Sequence, residues 1–118
     1  MGPPRRGEIW FVQLPTDLPT KGRRPVVIVS LEGRNRHEQA DTVLVVPLTT
    51  SVHKEVSTRV FLSAGETGLQ SDSAARAEDI TVVKKRTLFP SDGRLRQLSD
   101  RRVCELAAKV RIAMGCAP

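Results

Sequence analysis

A chain of 118 residues with 39% hydrophobic and 27% charged side chains is long enough for one core and too apolar for a disordered polymer, so a single domain over residues 1–118 is expected. Nineteen Lys and Arg against thirteen Asp and Glu leave a formal charge of +6, spread along the chain from Arg5 to Arg111, which suits a broad polyanion-facing surface as well as simple solubility. Cys104 and Cys116 have neither disulfide-framework nor metal-ligand spacing, and no apolar stretch follows Met1-Gly2-Pro3-Pro4-Arg5-Arg6, so neither signal peptide nor membrane span is written here and a cytoplasmic protein is expected.

Residues 7–14 (GEIWFVQL) carry β-branched and aromatic side chains over a strand-like length that Pro15 closes. Two prolines and a glycine in residues 15–23 (PTDLPTKGR) rule out regular structure and predict an ordered surface loop. Residues 24–30 (RPVVIVS) and 42–50 (TVLVVPLTT) are nearly continuous apolar runs, the pattern of strands buried on both faces. The polar stretch 31–41 between them, with Arg34 and Arg36, has room for one helical turn. Residues 57–62 predict another strand, 65–68 a turn, and 71–83 one or two further strands. Ser99 is a candidate N-cap for a terminal helix with Val103, Leu106, Ala107, Val110 and Met114 on its apolar face and Gly115 as its stop. Short strands followed by a helix predict a mainly β, α+β fold: a small, partly closed barrel with a C-terminal amphipathic helix. Of the aromatics Trp10, Phe11, Phe61 and Phe89, at least three are expected in its core.

The chain contains no Gly-rich phosphate loop and no closely spaced His and carboxylate set, so any reaction has to run on Arg, Thr, Ser and backbone groups. RNA suits such a kit because it brings its own nucleophile: a 2′-hydroxyl attacks the adjacent phosphate once it is positioned and the added negative charge is stabilised. Arg24 is the first candidate for that charge, a planar fork of donors matched to phosphate oxygens and held extended by Pro25. Thr49, at the end of a buried strand, is the second; its hydroxyl can donate to a phosphate oxygen or simply bond its own loop. His37 and His53 would suit a histidine acid–base pair, but both fall in polar segments, and His53 with Lys54 reads better as a phosphate contact.

Arg6-Gly7-Glu8-Ile9-Trp10, Arg24-Pro25-Val26-Val27-Ile28-Val29-Ser30 and Val45-Val46-Pro47-Leu48-Thr49, in that order, make the chain resemble the MazF/PemK family of toxin endoribonucleases along nearly its whole length. A weaker match is Ala77-Glu78-Asp79-Ile80, where Asp79 stands in place of the family's usual glutamine. The resemblance implies an SH3-like barrel, a homodimer, metal-independent cleavage of single-stranded RNA at short motifs without a cofactor, products with 2′,3′-cyclic phosphate and 5′-hydroxyl ends, and a cognate antitoxin that is an acidic, partly disordered peptide. It puts the family's catalytic arginine on Arg24 and its catalytic threonine on Thr49. Weaker RNA-contact candidates are Thr20, Lys21 and Arg23 before Arg24; Thr50, Ser51, His53 and Lys54 after Thr49; and Arg59, Arg76 and Glu78.

The chain departs from the family pattern at two places. The loop beside Arg24 reads Thr20-Lys21-Gly22-Arg23 and lacks the family's acidic residue, leaving only the more distant Asp17, so no base for the 2′-hydroxyl is assigned. Ser30 is followed by Leu31 where relatives often carry Asn, removing an amide that would orient the next loop. Two alternatives stay open: a toxin of this fold that binds DNA gyrase without cutting nucleic acid, and a degenerate member that binds RNA or antitoxin but no longer cleaves.

Overall fold

The computed structural model describes residues 2–52, 56–91, 93 and 95–116; His53 and Lys54 lie outside the described residues. In chain order the elements are β1 (Ile9–Val12), β2 (Arg24–Ile28), α1 (Glu32–Arg36), β3 (Thr42–Thr49), β4 (Arg59–Leu62), α2 (Ala64–Thr67), β5 (Ser73–Arg76), β6 (Thr81–Lys84) and α3 (Asp100–Ala113). Single 3-10 turns cover Pro19–Lys21, Ala77–Asp79 and Lys85–Thr87.

Every pairing is antiparallel and β3 is the hub. Its first residues pair with β6, its middle with β2, and its last two, Leu48 and Thr49, with β5, so the strand passes from one ladder to the next. The path β1-β2-β3-β5-β4, with β6 also on β3, does not close on itself, and the barrel is an open, bent sheet.

The two apolar runs are buried on both faces because β2 and β3 separate two clusters. Val27, Val46 and Leu48 point into one with Ile9, Val60, Leu62 and the α3 residue Leu106; Val26, Ile28, Val43 and Val45 point into the other with Val12, Leu14 and Val83. Each such side chain contributes about 1.5–3 kcal/mol by leaving water. Ser99 caps α3 by accepting from the Arg102 amide, Val103 and Leu106 are buried, and Gly115 at φ +82° follows the end. Ala107 and Met114, expected on the apolar face, are exposed: Val103, Leu106 and Val110 meet the core, Ala107 lies beside that contact stripe, and Met114 lies past the end of the helix.

Three further expectations change. The first strand is shorter than 7–14: Gly7 sits at φ +91°, with its amide donating to Ile28 O at 2.7 Å and its carbonyl accepting from Leu98 N at 2.8 Å, and ties the N-terminus to the segment before α3. The predicted turn at 65–68 is the one-turn helix α2, capped by Ser63 and stopped by Gly68 in the left-handed region. None of the four aromatics is fully buried; Trp10, Phe11 and Phe61 are half-buried and Phe89 is exposed. Valine, leucine and isoleucine fill both clusters, and the rings sit at the rim, where Trp10 Nε1 donates to Glu8 Oε1 at 3.1 Å.

Among the described residues no helix is long and apolar enough to cross a membrane.

Candidate active site

Strand register brings Arg24 and Thr49 together. The β2–β3 pairs are Val26↔Pro47, Val27↔Val46 and Ile28↔Val45; carried two residues past Val26, the same register sets Arg24 opposite Thr49. Because side chains alternate along a strand, Arg24 shares a face with Val26 and Ile28, and Thr49 shares one with Val45 and Pro47. The two polar ends therefore cap the same side of the sheet. Both line an open groove of about 670 Å³, whose apolar wall includes Phe11, Pro25, Leu48, Leu69 and Pro90 and whose polar rim includes Gln70, Ser71 and Ser73.

Arg23 and Thr50 line the same groove. The guanidinium carbon of Arg23 stands 3.3 Å from the centroid of the Phe89 ring, a cation–π contact that holds this arginine at the groove edge. The Thr49 hydroxyl accepts from the Ser51 amide at 3.2 Å, which orients its oxygen and leaves its hydrogen available to donate. Ser51 acts on the site through that backbone group.

Asp17 is brought to Arg24 across the loop. Pairing of Val12 with Arg24 closes a hairpin over residues 13–23, and within it the Asp17 amide donates to Leu14 O at 3.1 Å. The result is an ion pair between Arg24 Nε and Asp17 Oδ2 at 3.6 Å, with side-chain exposures of 17% and 13%, so Arg24 is not the freely solvated arginine that begins many strands. Distance along the chain concealed this partner.

The remaining candidates lie elsewhere. Thr20 and Lys21 are exposed on the Pro19–Lys21 turn and do not line the groove. Arg76 and Glu78 belong to a separate network: Arg59 Nε meets Glu78 Oε2 at 3.1 Å, Arg76 Nε meets Asp79 Oδ2 at 3.0 Å and Glu78 Oε2 at 3.7 Å, and Thr58 donates to Glu78 Oε1 at 3.0 Å. Burial opposes ionisation of Glu78, but its own backbone amide, Arg59 and Thr58 together hold the carboxyl below its usual range, so it is anionic and offsets the two arginines. Arg59 and Arg76 accordingly offer a polyanion less than their formal charge suggests.

Sequence reasoning missed the far wall of the groove, Gly68 to Ser71 with Pro90, Ser91 and Leu95, because those residues carry no periodic or motif signal. It also treated the Ser30-Leu31 step as the loss of an amide. Buried Asn35, on α1, supplies one: its Nδ2 donates to Ser30 O at 2.9 Å and its Oδ1 accepts from the Ser30 hydroxyl. Among the described residues no group of three His, Cys, Asp or Glu side chains is placed to hold a metal ion.

Comparison with known proteins agrees with this fold. Residues 5–114 match the model of the family described as PemK-like, MazF-like toxin of type II toxin–antitoxin system. The chain is 37% identical over 99 residues to Endoribonuclease MazF9 of Mycobacterium tuberculosis, covering 77% of this chain and 81% of the relative. Its structure is similar to Mycobacterium tuberculosis toxin MazF-mt6, with a TM-score of 0.71, 25% identity, and coverage of 94% of this chain and 99% of that one. It is also similar to a mycobacterial endoribonuclease solved in complex with its cognate antitoxin, with a TM-score of 0.69, 24% identity, and coverage of 100% and 99%. From its match over residues 5–114 and its 37% identity to a MazF relative, the chain belongs to the PemK-like, MazF-like toxins of type II toxin–antitoxin systems.

Proposed function

We propose that this chain, acting as one domain in the cytoplasm and as a homodimer, is a metal-independent endoribonuclease that cleaves single-stranded RNA. The observation that carries this reading is the meeting of Arg24 and Thr49 in one groove. The name of the relative MazF9, an endoribonuclease, favours RNA cleavage over binding of DNA gyrase.

In the proposed reaction the 2′-hydroxyl gives its proton to solvent water as its oxygen bonds to phosphorus, the bond from phosphorus to the 5′-oxygen breaks, and the products are a 2′,3′-cyclic phosphate and a 5′-hydroxyl, the proton lent to the leaving oxygen being returned to the protein by solvent. Arg24 neutralises the charge that builds on the non-bridging oxygens and supplies the proton to the leaving 5′-oxygen, while Thr49 donates a hydrogen bond to the phosphorane-like transition state. Arg23 steers the strand, and Thr50 with the Ser71 and Ser73 rim contacts sugar or phosphate. The formal charge of +6 complements an acidic antitoxin as well as RNA, and the relative solved with its cognate antitoxin supports that partner.

The purified protein, given unstructured RNA in EDTA, should release fragments with 5′-hydroxyl ends. A requirement for added metal, or cleavage of a strand whose scissile 2′-hydroxyl is replaced by hydrogen, would overturn the mechanism.

A further inference from the structure

The cleavage scheme leaves one neighbour of the groove unused: Asp17, behind Arg24. Its Oδ2 is sheltered from water and receives no hydrogen bond, although it stands 3.6 Å from Arg24 Nε. A sheltered carboxylate oxygen without a donor is costly, and the guanidinium beside it is what makes the charge tolerable. Asp17 does not line the groove. It faces a different hollow, formed with Leu14, Pro15, Pro19, Thr87 and Phe89, so it is placed to act on Arg24 and not on bound nucleic acid.

We infer that Asp17 is a positioning residue for Arg24: it engages the Nε edge of the guanidinium and so presents the opposite Nη edge to a phosphate in the groove. This inference rests on the RNA-cleavage reading. A guanidinium is a rigid plane with five donors, so anchoring one edge fixes the direction of the others without consuming them. Asp17 can serve as such an anchor because its own backbone is held: its amide bonds to Leu14 O, Leu14 is buried, and Pro15 and Pro19 restrict the chain on either side. The contact of 3.6 Å is an ion pair longer than a hydrogen bond, so Asp17 acts on the guanidinium by charge and direction. Asp17 thereby performs, through Arg24, a task for an acidic residue that the Thr20 to Arg23 stretch does not contain.

The test combines kinetics with a direct view of the arginine. Asp17→Asn keeps the side-chain shape and removes the charge. It should lower kcat for cleavage of a short single-stranded RNA by about 10- to 100-fold, with KM within about threefold of wild type, because misdirecting a catalytic group costs rate more than binding. In an Arg24→Lys background, where no Nε edge exists, the same substitution should have little further effect. In nitrogen–proton correlation spectra the Arg24 Nε–H resonance, assigned by its loss in Arg24→Lys, should be resolved in the wild type and merge with the solvated arginines in Asp17→Asn. Unchanged kcat in Asp17→Asn, or an undiminished loss in the Arg24→Lys background, would overturn the inference and leave the cleavage reading standing. A wild-type protein that cuts no RNA would sink the cleavage reading. The spectra would then judge the pairing alone, and an Arg24 signal insensitive to Asp17→Asn would count against it.

Discussion

Arg23 lies over the face of Phe89, and Phe89 is locked to Phe11 by two backbone hydrogen bonds, Phe11 N to Phe89 O at 2.9 Å and Phe89 N to Phe11 O at 2.7 Å. The ring is a fixed platform that stops a flexible cation from wandering away from the groove. An exposed contact of this kind is worth about 0.5–1 kcal/mol. Phe89→Ala should raise KM for RNA about two- to fivefold with kcat little changed. Steady-state kinetics decide the matter, and an unaltered KM would mean that the stack does not serve binding.

Thr49 offers a sharper contrast, since its oxygen accepts from the Ser51 amide and its hydrogen remains to be donated to a substrate. Thr49→Val removes the hydroxyl at nearly constant volume and should lower kcat by about 100- to 1,000-fold, the range for loss of one transition-state donor. Thr49→Ser keeps the hydroxyl and should stay within about tenfold of wild type. Equal kcat values for the valine and serine variants would remove the hydroxyl from the reaction.

Stability in acid follows from the clasp between α2 and α3. Arg102 donates to Glu66 through two bonds, Nε to Oε2 at 2.7 Å and Nη2 to Oε1 at 2.9 Å, and these hold the Glu66 carboxyl below its ordinary value of 4.5 against the opposing effect of burial. A carboxylate whose folded pKa is lowered contributes stability that is complete above its unfolded pKa and disappears as pH falls through the folded one. Glu66→Gln should therefore cost about 1 kcal/mol at neutral pH, discounted for partial exposure, and the gap from wild type should narrow below about pH 4.5. Denaturant titrations at neutral and acid pH measure it; a gap independent of pH would refute the assignment.

Gly7→Ala should be among the most damaging small substitutions. Its positive φ costs a side chain about 1–3 kcal/mol, and an added Cβ would run into the Leu98 carbonyl oxygen. A thermal melt of the variant should fall well below wild type; an unshifted midpoint would mean that the N-terminal segment is not tied to Leu98 as described.

The strands were legible because both long apolar runs lack a polar face, and only burial on two sides tolerates that; β2 and β3 duly separate two clusters. The helix was legible from Ser99 and the spacing of Val103 and Leu106. Position along the chain hid the pairing of Arg24 with Asp17, which depends on how a proline-rich loop folds back over seven residues. The aromatics misled for a related reason: composition says that large rings are usually inside, but not that smaller aliphatics have already filled the available volume. Glu78 and Arg76 stand near the weaker sequence match, yet their mutual charge compensation needs coordinates to be seen.

Cleavage of a defined single-stranded RNA by Arg24→Ala, compared with wild type at matched folding and oligomeric state, bears most directly on the Arg24–Thr49 site. If the guanidinium carries the phosphate charge, kcat should fall by about 1,000-fold or more while antitoxin binding and dimerisation persist. Cleavage by the variant at the wild-type rate would contradict that role and point to a contaminating nuclease.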